Sequence, residues 1–396
     1  MREFRLRQDL TRRSVGSFQL PLGVEPEGLP EPTQGYTLTY QAGEGDEPDT
    51  YAFHIVVSHD KLKPIIDAAF DLLPDEVTPV VEIGSRDAYR SVDVYVGEEP
   101  LPVDHFLRVW YEFEDVLIED VCIGAGANAE DPFVEVFVDS WKGIVIHVPM
   151  EWRERVEKML HKLGLEEVAE TWPGGLEQEE PLSQIREVLE IEDEHSPDLD
   201  ELLLQLREAW DLTLNIDPES NLDDAGRELG LTLWHAIVIA EPIQDPLGDG
   251  RVGSGSGSLE EQLDGLMPGE IESGAYISFW ATAASLAEIE EMIGDWFDAQ
   301  EDWAFKSVYS MDRVAFDERP DELSSLPHRR TKAEIHFAEI DQWGEEGPGE
   351  PPKRREPRND GGRSGPSGPS GDPFGDDDDE GGGGRGPTGP GGRRGR

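Results

Sequence analysis

Three features of the sequence point to an α+β fold with mixed, mostly antiparallel sheets. Apolar residues alternate at period two in some stretches and recur at i, i+3, i+4 in others, and the two patterns interleave. Two strand-like runs, 133–138 and 144–148, flank a loop bearing Gly143 and so form an adjacent hairpin. Strand–helix–strand then occurs in two separate parts of the chain, which argues for two units with helices packed on one face of each sheet.

The first 49 residues are rich in Pro, Gly and Glu and are expected to form an irregular N-terminal arm, with a short strand at 36–40. A first α+β domain is expected over 50–165. It begins with a strand at 51–57 and a helix whose apolar face is Leu62, Ile65, Ile66, Ala69, Phe70 and Leu73. Strands at 77–83 and 91–96 follow, then a helix with Phe106, Val109, Trp110, Phe113 and Leu117 on one side. After the hairpin, Pro149 opens a helix that Gly164 closes. Residues 166–197 form an acidic linker with a short helix near Ile185, Val188 and Leu189. The second domain is expected over 198–343. Ser196 caps its first helix and Pro197 takes the first helical position. Strands at 231–240, 275–281, 303–309, 313–316 and 332–338 follow, with capping boxes at Ser258/Glu261 and Ser285/Glu288. A ferredoxin-like or related two-layer sandwich fits this order.

The last 53 residues, 344–396, hold 18 Gly, 9 Pro and a single aromatic, Phe374. Such a segment cannot bury enough apolar surface to offset its ordering entropy, so a disordered tail is expected. It carries 11 acids and 9 bases, so about −51 of the formal charge of −53 falls on the first 343 residues. That acidity disfavours nucleic-acid binding by the body, because phosphate contacts need basic patches. The Gly/Arg segment 381–396 keeps a weak possibility of RNA contact. Only 8 Lys stand beside 26 Arg. Acid-rich, lysine-poor chains suit a cell with high internal salt, and GC-rich codon usage gives the same bias.

Two stretches match dinucleotide-binding spacing: Gly124-Ala125-Gly126-Ala127-Asn128-Ala129 and Gly248-Asp249-Gly250-Arg251-Val252-Gly253. The motif needs a helix whose N-terminus faces the phosphate, and neither stretch is followed by one. Asp217, Glu219, Asn221, Asp223 and Glu228 have the spacing of a calcium loop, but Leu222 stands where the turn needs Gly. A turn plus a short capped helix over 223–229 fits better. The nine His show no metal-ligand spacing, and His147 and His235 lie in apolar strands as sheet residues. The single cysteine, Cys122, excludes an intramolecular disulfide and suits a small buried side chain. No metal, cofactor or catalytic residue is therefore expected. Trp141, Trp172 and Trp343, placed in loops and linkers, are candidates for partner contact or for local lids. With no 18-residue apolar run there is no transmembrane helix, and the expected setting is cytoplasmic.

The leading expectation is a non-enzymatic interaction or regulatory factor whose acidic surface steers it to a basic protein partner. The alternative is an enzyme or small-ligand-binding protein with a pocket in the second unit near the loop from Gly248 to Ser258. A deep pocket with perturbed titratable groups favours the alternative, and an exposed aromatic patch favours the first.

Overall fold

A computed structural model describes residues 4–43, 49–171, 183–191, 196–243 and 273–343. The loop from Gly248 to Ser258, the Ser258/Glu261 box, Trp172 and the 344–396 tail lie outside these residues. The fold is α+β, and every ladder between its strands is antiparallel.

The arm is more ordered than its composition suggests. It contributes β1 (Ser14–Val15), β2 (Phe18–Gln19), β3 (Val24–Pro26) and β4 (Gly35–Gln41). Phe18, Leu20, Val24 and Leu29 are buried with Val56 and Val121, a small core that Trp141 helps to cover. Strand β5 (Thr50–Val56) pairs β4 and leads into α1 (Leu62–Phe70), with all five expected apolar positions from Leu62 to Phe70 buried. Next come β6 (Glu76–Gly84), β7 (Val92–Gly97) and β8 (Leu101–Pro102), then α2 (Val103–Leu117). Strands β9 (Ile123–Glu130), β10 (Phe133–Val138) and β11 (Ile144–Pro149) form a meander, closed by α3 (Arg153–Lys162).

The supposed linker helix at 185–189 is instead β12 (Ser183–Ile185), which pairs β3, followed by a bridge from Leu189 to Leu6. Helix α4 (Leu199–Trp210) begins two residues later than expected. Asp198, not Ser196, caps it, its side chain accepting from Glu201 N at 2.9 Å. A carboxylate at this position also favours the helix dipole. Strand β13 (Leu212–Leu214) follows and pairs β7. The first sheet therefore runs β13-β7-β6-β9-β10-β11-β5-β4, with β8 alongside β6. Its core joins α1, α2 and α4 through Phe70, Phe106, Trp110 and Trp210, with Phe106 and Trp210 stacked at 5.2 Å. Each such ring contributes roughly 1.5–3 kcal/mol by burial.

The second sheet has four strands, ordered β16-β14-β15-β17. These are β14 (Thr232–Pro242), β15 (Gly274–Ala283), β16 (Trp303–Val314) and β17 (Glu334–Trp343). Helix α5 (Leu286–Asp298) lies on one face through Ile289, Ile293 and Phe297. Its capping box forms as expected: Ser285 Oγ accepts from Glu288 N at 3.2 Å, and Ala284 N donates to Glu288 at 2.6 Å. Two expectations change here. The strands at 303–309 and 313–316 are one continuous β16, and Trp343 belongs to β17, packed 4.8 Å from Tyr276.

Candidate functional site

The loop after β6 holds the two sheets together. Asp87, buried in that loop, accepts from Arg313 Nε of β16 at 3.0 and 2.8 Å and from the Arg313 backbone N at 3.1 Å. Arg313 Nη1 donates to Asn221 Oδ1 at 3.2 Å and to Leu222 O at 3.3 Å. The rings of Tyr89 and Trp234 lie 5.2 and 5.7 Å from the guanidinium. A buried charge so fully hydrogen-bonded is tolerated where an unpaired one is not.

Beside this node lies a cleft of about 730 Å³ between edge strand β16 with α5 and the β7, β13 and α4 edge of the first sheet. That volume falls in the range of roughly 300–1,000 Å³ typical of small-molecule sites. Strand β16 shapes one wall through an irregularity. Ile237 pairs with Ser310 and Val238 with Val308, so Tyr309 is the extra residue of a β-bulge. Bulges re-aim side chains, and Tyr309 is buried against Ile237 and Tyr276 while lining the cleft. Its hydroxyl has no hydrogen-bond partner among the described residues, and neither does Arg207 Nε on the facing helix. Burial raises the Tyr309 phenol well above its ordinary value, and Asp198 and Asp200 add to this.

The cleft is rich in carboxyls. Burial pushes Asp312 up to about 7; Asp93 and Asp87 reinforce the shift, while Arg86 and Arg90 oppose it. Burial likewise raises Asp200, which pairs with Arg86, and Asp93, whose carboxylate lies 3.1 Å from Arg90. Arg207 lies over the Tyr95 ring at 5.1 Å, and burial raises that phenol to about 12. Cys122 also lines the cleft. Its thiol is pushed up to about 11 by burial and then by Asp120, which keeps it protonated and a poor nucleophile.

The residues singled out in the sequence lie elsewhere. Gly124–Ala129 falls inside β9, so it is no phosphate-binding turn. The glycine at 126 serves close strand approach: a Cβ there would meet Val136 O at 2.2 Å. Residues 223–229 form a turn and not a helix. Asp223 accepts from Ala225 N at 3.0 Å and from Arg227 N at 2.9 Å, and it pairs with the Arg227 side chain. Among the described residues no group of three or more His, Cys, Asp or Glu is placed to hold a metal ion. His147 pairs with Glu135 across the β10–β11 ladder at 2.7 Å. His235 stacks on Trp280 at 4.4 Å, its Nε2 2.7 Å from Ser278 Oγ. Ser278 stands in β15, paired on both sides, so the amides around it belong to the sheet and none is offered to an oxyanion. No helix among the described residues is long and apolar enough to cross a membrane.

Sequence reasoning missed Tyr309, Asp312 and Arg207. The signal was Ser310-Met311-Asp312, a polar interruption of apolar alternation, which looked like a gap between two strands and is the cleft wall of one. Compared with known proteins, the chain matches no family model, no curated protein and no solved structure.

Proposed function

We propose that this protein binds a small polar ligand in the cleft between β16 and α4. The observation that carries the reading is a cleft of ligand size lined by Tyr309 and Arg207, whose Oη and Nε have no hydrogen-bond partner among the described residues. Buried polar atoms are rarely left without hydrogen bonds, and the oxygen of a ligand hydroxyl or of a bound water can accept from them. Five carboxyls (Asp93, Glu98, Asp200, Glu290, Asp312) face two guanidiniums (Arg86, Arg207), which favours hydroxyl- and amine-bearing ligands over anions. The cleft draws its lining from both sheets, with β16 as one wall, whereas the pocket expected near Gly248 to Ser258 lies outside the described residues.

Ligand-observed NMR of the full chain against a panel of amines and polyols tests this. Hits should weaken in Tyr309→Phe, which removes the hydroxyl, and in Thr213→Trp, which fills the mouth from an exposed position. An empty screen, or hits indifferent to both changes, overturns the reading.

The acidity supports a second reading, a non-enzymatic factor that contacts a basic protein partner in the cytoplasm. Asp217, Glu219, Glu228, Glu288 and Glu291 line one depression whose wall holds no Lys or Arg. A lysine-rich peptide titrated at low and high salt tests it, since binding driven by these carboxylates must weaken as salt rises.

A further inference from the structure

Arg330 has two shielded N–H groups without a partner in a chain of 87 acidic and 34 basic residues. By contrast, Arg313 holds Asp87, and Arg319 donates to the carbonyls of Phe316, Leu323 and Ser324. Arg330 forms no ion pair among the described residues, and its Nε and Nη1 are shielded from solvent without a hydrogen-bond partner there. Burial pushes its guanidinium below the ordinary arginine value, and the one ionisable neighbour opposing that shift is Tyr89. A partly buried cation with unpartnered N–H groups gains hydrogen bonds from an anion beside it.

A hollow of about 770 Å³ is lined by Arg330, Arg329, His328, Phe316 and Tyr89, with Asp317 exposed on its rim. Arg330 lies over the Phe316 ring at 5.2 Å, and the His328 ring lies tilted against Phe316 at 4.6 Å. The run His328-Arg329-Arg330-Thr331-Lys332 is a dense basic segment in an otherwise acidic body. A guanidinium edge matches the two oxygens of a carboxylate or phosphate, and the shielded Nε and Nη1 come within reach of an anion when the side chain turns on the Phe316 ring.

We propose that Arg330, with Arg329 and His328, binds the oxyanion group of a small metabolite in the hollow beside Phe316 and Tyr89. The acidic body repels polyanions at long range, so the site suits a small anion that fits within the hollow. It is separate from the β16 cleft, and its ligand is of opposite charge preference.

The test is isothermal titration of the full chain with inorganic phosphate and, separately, succinate, at matched ionic strength in low chloride. Saturable one-site binding of either probe is expected, and the probe that binds identifies the source as phosphate or carboxylate. Arg330→Met should weaken it by about tenfold or more, whereas Arg330→Lys, which keeps charge but loses the planar fork, should weaken it less. Where Arg330→Met does not fold, the exposed pair His328→Ala/Arg329→Ala decides, with a loss of roughly threefold expected. No binding of either probe, or affinity unchanged in the variant that folds, overturns the proposal.

Discussion

The Arg313 guanidinium and the Asp87 carboxylate meet across 226 positions of sequence, and both side chains are buried. Their contact joins the β6–β7 loop to the edge strand of the second sheet. Ala88 N also donates to Arg313 O at 2.9 Å and Asp224 N to Tyr89 O at 3.3 Å, so the loop is fastened by backbone as well. Removing one partner leaves a buried charge uncompensated. Asp87→Ala should therefore cost about 3–5 kcal/mol in urea unfolding. A cost below about 1 kcal/mol would mean that the pair is not a principal tie between the sheets.

Asp312 sets a pH dependence with a definite sign. Its carboxyl titrates near 7 in the folded chain against an ordinary 3.8, so the folded state binds the extra proton between those values. Stability from this group is therefore full below about 3.8, declines as pH rises from there to about 7, and is constant above that. Removing the charge with Asp312→Asn should raise the melting temperature more at pH 8 than at pH 5, the two effects differing by roughly 2–3 kcal/mol. A wild-type-to-variant difference that stays constant from pH 5 to 8 would remove Asp312 from the account.

Gly126 separates two interpretations of a glycine pair. As a nucleotide turn it would tolerate Ala with a loss of binding alone. In β9 a Cβ would press on Val136 O and, at 2.6 Å, on Phe137 Cα, both backbone atoms that cannot swing aside. Gly126→Ala should therefore cost about 1–3 kcal/mol or more in chemical denaturation, with no change in the response to nucleotides. A fully stable variant would contradict the strand packing.

The same contrast explains what the sequence made legible. Amphipathic helices announce themselves locally: the faces of α1, α2 and α5 and the Ser285/Glu288 box follow from spacing and capping alone. Strand β9 was hidden because Gly and Ala leave its alternation with no apolar contrast. The arm looked irregular because Pro and Gly dominate its composition, yet Leu20 and Val24 reach a core supplied by β5 and by Val121. The cleft depends on a bulge at Tyr309 and on contacts between segments more than a hundred residues apart. No period in one segment encodes such meetings, and composition conceals which guanidiniums among many charges lack a partner.

Salt bears on the charge of the first 343 residues. Self-repulsion among so many carboxylates destabilises the compact state, and mobile ions screen it over a Debye length of about 10 Å at 0.1 M and about 3 Å at 1 M. Buried contacts such as Asp87–Arg313 are screened far less, because no ions lie between the partners. Raising KCl from 0.1 to 1 M should therefore raise the melting temperature of the wild-type chain by several degrees. The destabilisation caused by Asp87→Ala should stay nearly constant over the same range. If the melting temperature is flat or falls with KCl, repulsion is not limiting and adaptation to high internal salt is excluded as the reason for the acidity. If instead the Asp87→Ala effect shrinks with salt, the Asp87–Arg313 pair is reached by solvent ions and its tie between the sheets is weaker than its burial indicates.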